Sequence, residues 1–234
     1  MVLEKKLPCF ILARGGSKSL RKKNLHNFLN KPLIEHTINY AKKSKYITHI
    51  VISTDSKEIY NFCKRKNCFV VYPRPKNLSN DKAKSLPALI HAAKEFEKKI
   101  GSFDIFAFLQ TTEPLRPKNI LNDCIKLLLN NKKLNSAFAG YEYKKNFWIK
   151  KRNKFKRISP VKNAGVPRQS AKKNIIYRED CGVSLASRKR VLLKNKKLFK
   201  EPLHILSYNS KHGFLDIHNK SDIYFGEMLA RYLK

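Results

Sequence analysis

Apolar runs of strand length alternate with amphipathic segments of helix length from the start of the chain to residue 141, and this alternation restricts the fold most. PCFILA (8–13) precedes PLIEHTINYAKKS (32–44), HIVISTD (49–55) precedes SKEIYNFCKRKN (56–67), and FVVY (69–72) precedes KSLPALIHAAKEFEKKI (84–100). DIFAFLQ (104–110), PKNILNDCIKLLLNN (117–131) and SAFAGY (136–141) continue the series. Pro32 suits a helix start and Ser56 an N-cap. The pattern predicts an α/β fold in which helices cover a mostly parallel sheet.

The rhythm stops between residues 141 and 177, where aromatic residues alternate with cations. This stretch reads either as a β-hairpin excursion that pairs with a second subunit or as a basic loop. Strand-like VSLAS and LHILSY follow, then a closing helix, DIYFGEMLARYLK (222–234), with Asp222 as its expected cap. A length of 234 residues fits a single domain, 1–234, carrying 141–177 as an inserted arm.

The first strand runs into ILARGGSKSLRKKN (11–24). In open α/β sheets ligands bind beyond the carboxyl ends of the strands, where this stretch falls. Glycine lets backbone N–H groups approach phosphate oxygens, and successive N–H groups form an anion nest. Gly15 and Gly16 have Arg14, Lys18, Arg21, Lys22 and Lys23 around them, so the stretch reads as a polyphosphate cradle. The bland reading is a Gly-Gly turn among solvated lysines. Neither GxxxxGK[ST] nor GxGxxG occurs, which excludes the P-loop and leaves a dinucleotide fingerprint unsupported.

The net charge is +34, from 51 Lys+Arg against 17 Asp+Glu, so polyanions are attracted to the surface. One reading is a Lys/Asn/Ile-rich coding bias with a small anionic substrate; the other is nucleic-acid binding. RRM, KH and zinc-finger patterns are absent and the cations are spread along the chain, which favours the first. Five cysteines, scattered and without CxxC, fit a reduced cytoplasmic setting. The apolar runs are too short for a signal peptide or a membrane span, so a soluble intracellular protein is expected.

The opening stretch resembles the signature of the CMP-sialic acid synthetases, the cytidylyltransferases that activate sialic acid and related sugar acids. VISTD (51–55), RPKNLSNDKAKS (74–85), FLQTTEPLR (108–116), PRQ (167–169) and LDI (215–217) resemble the family's later blocks in the same order, so the likeness spans nearly the whole chain. The resemblance implies a Rossmann-like nucleotide-diphospho-sugar transferase sandwich. It implies that CTP and a 2-keto sugar acid give a CMP-sugar and pyrophosphate. It also implies a homodimer that exchanges a hairpin arm, which fits 141–177.

Carried over residue by residue, the resemblance puts Ala13, Gly15, Gly16 and Ser17 against the nucleotide and Arg14, Lys18 and Lys23 on the triphosphate. It assigns Asn24, Arg74 and Ser85 to cytosine recognition, although Arg74-Pro75 could instead start a turn and Ser85 could cap a helix. Gln110, Arg168 and Arg178 fall to the sugar acid, and Arg116 to bracing its loop. Asp216 becomes the ligand of Mg²⁺ or Mn²⁺, with His218 beside it, and joins Arg14 and Lys18 as a catalytic residue.

Three blocks depart from the family pattern. Asp-x-Asp is Asp216-Ile217-His218 here, and Arg-x-Asn-Gly is replaced by REDCG, Arg178 to Gly182. Gln-Pro-Thr-Ser-Pro-Leu-Arg becomes Gln110-Thr111-Thr112-Glu113-Pro114-Leu115-Arg116. The nucleotide half of the expected site is intact. The sugar is left open, as is a nucleotidyltransferase of the same fold acting on another nucleotide or a non-acidic sugar.

Overall fold

The computed structural model describes residues 6–17, 19–143, 147–158, 176–208 and 215–233. In chain order, β1 (Pro8–Leu12) leads through a short hairpin, β2 (Asn27–Phe28) and β3 (Lys31–Pro32), into α1 (Leu33–Lys42). β4 (His49–Ser53), α2 (Lys57–Arg65), β5 (Phe69–Val71), α3 (Ser85–Lys99), β6 (Ile105–Leu109), α4 (Ile120–Asn130) and β7 (Ser136–Tyr143) follow. The remainder is β8 (Trp148–Lys151), β9 (Lys154–Arg157), β10 (Ile176–Glu179), β11 (Leu185–Arg188), α5 (Lys189–Leu193), β12 (Leu203–Ser207) and α6 (Lys220–Tyr232).

The expected alternation is present, and it builds a mixed sheet. β5, β4, β1 and β6 pair in parallel in that order. β11 then inserts antiparallel between β6 and β7. β10 continues antiparallel along the same edge of β7, and β12 pairs with β7 in parallel. β1 reads as a continuous apolar run because both of its faces are covered. Cys9 and Ile11 pack with Ile34, Ile38 and Ala41 of α1, Ile59 and Cys63 of α2, and Leu121 and Ile125 of α4. Phe10 faces the other way, into Leu89, Ala92, Ala93 and Phe96 of α3 with Phe106 and Phe108 of β6. Helices therefore lie on both faces, and the loops after β1, β4 and β6 emerge together at one end of the sheet.

Ser56 caps α2 as expected, accepting from Ile59 N at 3.4 Å. The cap of α6 is Asn219 and not Asp222. Asn219 Oδ1 accepts from Asp222 N, while Asp222 Oδ2 accepts from the Asn219 and His218 amides at 2.9 and 2.7 Å. Asp222 is thus the reciprocal member of a capping box. Within the 141–177 stretch, β8 and β9 form an antiparallel hairpin. Residues 144–146 and 159–175 of that stretch lie outside the described residues. Among the described residues no helix is long and apolar enough to cross a membrane.

Candidate active site

Two adjoining clefts open where β1 and β6 end. The first, of about 280 Å³, brings together Arg14, Lys23, Asn24, Arg74, Ser85 and Gln110, six residues singled out in the sequence. The second, of about 360 Å³, shares Arg14, Lys23 and Asn24 and adds Gly16, Ser17 and His218. Lys18 and Arg168 lie outside the described residues.

Ala13 N donates to Ser53 O at 2.9 Å and extends the β1–β4 pairing by one residue. Gly15 then donates its amide to Asp55 Oδ1 at 2.8 Å. This corrects the expectation that the Gly15 N–H is free for phosphate. The need for glycine at 15 is steric, because a Cβ there would lie 2.8 Å from Ser56 Cβ. A Cβ on Gly16 would meet no atom within 4 Å among the described residues beyond its chain neighbours.

Arg14 Nη1 pairs with Asp81 Oδ1 at 2.9 Å across the mouth of both clefts. Lys23 Nζ donates to Ile217 O at 3.1 Å, which binds the first loop to the segment that carries Asp216. Burial pulls the Lys23 ammonium below its ordinary pKa, and Asp216 pulls against that shift. Lys22 points elsewhere and pairs with Glu58 at 2.7 Å.

Asn24 is buried, and each end of its side-chain amide has a protein partner. Nδ2 donates to Arg14 O at 2.8 Å and Oδ1 accepts from Thr111 Oγ1 at 2.6 Å. In this arrangement it fastens the first loop to the end of β6 while still lining the cleft. Arg74 lines the cleft and precedes a short turn at Lys76–Leu78. Its backbone N donates to Thr54 O at 2.8 Å, and its buried guanidinium donates to Ser53 Oγ at 3.0 Å and to Ser53 O. Ser85 does not cap α3, since Lys84 holds the cap position, and it lines the cleft from the first helical residue.

Among the residues expected at the sugar, Gln110 follows β6 and donates its amide to Gly182 O at 2.9 Å. Arg116 braces this region as expected. It is buried and donates to Val183 O at 2.9 Å, Thr37 Oγ1 at 3.3 Å, Gly182 O at 3.4 Å and Gln110 O. Arg178 departs from its assignment to the sugar. Nε and Nη2 form a two-pronged pair with Asp180 at 2.6 and 3.0 Å, and Tyr208 OH donates to the same carboxylate at 2.6 Å. The guanidinium fork that suits a sugar carboxylate is engaged by the buried Asp180. The Arg178–Asp180 pair forms within the REDCG block itself, and Tyr208 reaches the carboxylate from a distant segment.

Leu215 and Ile217 are buried against Phe28, Leu33 and Ile223, and this alternation turns Asp216 outward. Gly226 of α6 permits that packing, since a Cβ there would lie 2.6 Å from Leu215 Cδ2. Ile217 N donates to Thr112 O at 2.8 Å, which docks the segment beside the end of β6. His218 Nε2 lies 2.9 Å from Asp216 Oδ2. The donor set fits Mg²⁺. Asp216 is a half-exposed carboxylate beside a cationic cleft and would offer one hard oxygen, the kind of ligand Mg²⁺ takes alongside phosphate and water. His218 brings the nitrogen that Mn²⁺ accepts more readily. Among the described residues no group of three or more acidic, His or Cys side chains forms a metal site by itself.

Sequence reasoning missed three acidic participants: Asp55, Asp81 and Glu113. Asp55 and Asp81 fall inside quoted blocks, but nothing local marks them as partners of Gly15 and Arg14. Glu113 had a signal, as the departure from the family's serine. Burial pushes its carboxyl up to about 8 against the pull of Arg116, with Asp216 and Asp180 adding to the rise. The five thiols are free. Burial pushes Cys9, Cys63, Cys124 and Cys181 up to about 12 and Cys68 up to about 11, which leaves no thiolate for nucleophilic work.

The family described as cytidylyltransferase matches residues 9–201. Pseudaminic acid cytidylyltransferase of Campylobacter jejuni (strain 81-176) is 35% identical over 148 residues, covering 62% of this chain and 64% of that protein. The match therefore spans less than two thirds of this relative's length. CMP-N,N'-diacetyllegionaminic acid synthase of Legionella pneumophila is 27% identical, with 91% of this chain and 90% of that protein covered. Among solved structures, a CMP:2-keto-3-deoxy-manno-octonic acid synthetase complexed with CTP superposes with a TM-score of 0.70. It covers 98% of this chain and 100% of its own at 15% identity, which establishes a shared fold.

Proposed function

The chain belongs to the cytidylyltransferase family, and from that membership we propose that it transfers CMP from CTP to the anomeric hydroxyl of a sialic-acid-like 2-keto sugar acid. The observation that carries this reading is the convergence of Arg14, Lys23, Asn24, Arg74, Ser85 and Gln110 on one cleft at the ends of β1 and β6. The relatives whose names specify pseudaminic and diacetyllegionaminic acids support an acidic sugar as the acceptor.

The anomeric oxygen attacks the α-phosphorus of CTP. An oxygen–phosphorus bond forms, the bond to the β-phosphate bridge breaks, the hydroxyl proton departs, and pyrophosphate leaves. Negative charge grows on the leaving phosphates, so cations aimed at them favour the transition state over the ground state. Arg14 and Lys23 supply that charge, with Lys18 assigned alongside them by its place in the motif. Arg74, Ser85 and the loop held by Asn24 hold the nucleoside, and Gln110 faces the sugar. Asp216, with His218 next to it, would hold Mg²⁺ or Mn²⁺. The ion would supply charge neutralisation on the phosphates and an easier ionisation of the attacking hydroxyl.

We read the β8–β9 hairpin as part of an arm that pairs with a second copy of the chain. Trp148, Ile149 and Phe155 expose 61%, 49% and 65% of their surface on it, more apolar area than an isolated hairpin can hide. We read the location as cytoplasmic, since scattered free thiols fit a reduced compartment.

Pyrophosphate release tests the reaction, with each of the four NTPs offered against a panel of acidic and neutral sugars in Mg²⁺ or Mn²⁺. Release only with CTP and a 2-keto sugar acid is expected. Release only with another nucleotide or a neutral sugar would overturn the reading. Sedimentation of the full chain tests the arm, with a dimer expected.

A further inference from the structure

Exposed apolar surface on this chain is gathered in two places. Among the described residues, and apart from Leu129, the large apolar side chains left exposed lie on β8, on β9, at Ile158 just after β9, or on α6. In a chain of net charge +34, two uncovered apolar patches call for a physical reason.

α6 is apolar on both sides. Ile223, Gly226 and Ala230 are buried, and Ile223 and Leu229 pack with Phe28, Leu33 and Leu215. Tyr224, Phe225 and Met228 lie on the other side, each exposing more than half of its surface. Spacings of three and four residues join them in one stripe. Both carboxylates of the helix are engaged by backbone amides, Asp222 by those of His218 and Asn219, and Glu227 by that of Leu29 at 3.1 Å. The stripe therefore suits an aromatic partner better than a charged one. A helix that is apolar all round is stable where it is covered all round.

The arm supplies such a surface. Alternate residues of a strand share a face, and so do cross-strand partners. Lys150 pairs with Phe155, so Trp148, Lys150 and Phe155 stand on one face, with the Lys150 ammonium 5.6 Å from the centre of the Phe155 ring. Trp148 and Phe155 are more than half exposed, and so is the α6 stripe, so the arm does not rest on its own helix.

We propose that the face of the arm carrying Trp148 and Phe155 docks on the α6 stripe of Tyr224, Phe225 and Met228 in a second copy of this chain. A two-fold axis makes the contact twice, once in each direction. The inference rests on reading β8–β9 as an inter-subunit arm and names the surface that receives it. Each copy then covers on the order of 600 Å² of apolar surface, within the range of about 600–1,000 Å² per partner in stable interfaces. Gly226 packs α6 on Leu215, so the docked arm lies against the helix behind the Asp216 segment.

Sedimentation of the full chain, with disulfide trapping, tests this. Met228→Lys sets a cation opposite Lys150 and should weaken the dimer about tenfold or more, as like charges across an interface do, while Met228→Leu stays within about twofold. After subunit exchange and oxidation, Lys150→Cys chains should link to Met228→Cys chains and neither kind to itself. Met228→Cys chains linked to one another, or a dimer that Met228→Lys leaves intact, would overturn α6 as the seat of the arm while the arm reading stands. A monomeric wild type would overturn both, and its co-sedimentation with phosphatidylglycerol vesicles would give α6 to a membrane surface instead.

Discussion

The Gly15 amide donates to the Asp55 carboxylate at 2.8 Å, and this bond clamps the start of the first loop to the end of β4. The loop is therefore held by packing and hydrogen bonding before its cations are considered. Two adjacent glycines acquire different duties as a result. Gly15→Ala forces a Cβ to 2.8 Å from Ser56 Cβ and should lower stability by about 1–3 kcal/mol, the usual cost of overpacking. Gly16→Ala meets no atom of the described residues within 4 Å and should leave the melting temperature unchanged while weakening CTP, because the added methyl projects into the proposed nucleotide site. Thermal melts paired with CTP titrations of both variants check this, and a stable Gly15→Ala would refute the clamp.

Asp81 holds Arg14 at 2.9 Å and places a negative charge beside the proposed triphosphate site. Asp81→Asn should tighten CTP about two- to fivefold, the range expected for removing one exposed charge pair. The gain should shrink in high salt, since exposed charges are screened. Calorimetric titration at two ionic strengths measures both effects.

Arg116 ties Gln110, Gly182 and Val183 to one buried guanidinium. Arg116→Leu takes the guanidinium donor from Val183 O and Gln110 O, while Gly182 O keeps the Gln110 amide, and should cost about 2–3 kcal/mol or more, given about 1–3 kcal/mol for each orphaned buried group. Chemical denaturation of the variant measures the loss, and a cost below about 1 kcal/mol would contradict the brace.

Glu113 makes stability depend on pH. Its folded pKa of about 8 lies above the ordinary 4.5, so the folded state binds the proton more tightly. Its contribution is complete below pH 4.5 and is lost as pH rises through 8. The stability of the wild type relative to Glu113→Gln should therefore fall across that window by a few kcal/mol, at about 1.4 kcal/mol per pKa unit. Denaturation curves from pH 4.5 to 8.5 check the sign, and a flat difference would place Glu113 in water.

The parallel half of the sheet was legible because a strand buried on both faces, such as β1, reads as an unbroken apolar run between amphipathic helices. Strand direction was not. β11 and β12 carry similar short apolar runs, yet β11 pairs with β7 antiparallel and β12 pairs with it in parallel. The convergence of Arg14, Lys23, Asn24, Arg74 and Ser85 on one cleft was legible because these residues lie in short blocks next to strand ends. The sugar half was not, because its electrostatics depend on long-range contacts: Tyr208 on Asp180, the Asp216 segment on Thr112, and Gly182 against Glu113. Asp222 was misread as a cap because the sequence does not reveal that the helix begins two residues earlier, at Lys220.

The central claim is that one cleft, built from Arg14, Lys23, Asn24, Arg74 and Ser85, selects and holds CTP. Calorimetric titration of the full chain with CTP, UTP, ATP and GTP in Mg²⁺ tests it most directly. The account expects saturable one-to-one binding of CTP, about tenfold or more tighter than UTP, as hydrogen-bond readout of the cytosine edge provides. It also expects binding to weaken in Arg74→Ala and Lys23→Ala. Equal affinity for all four nucleotides, or CTP binding untouched by both substitutions, would contradict it.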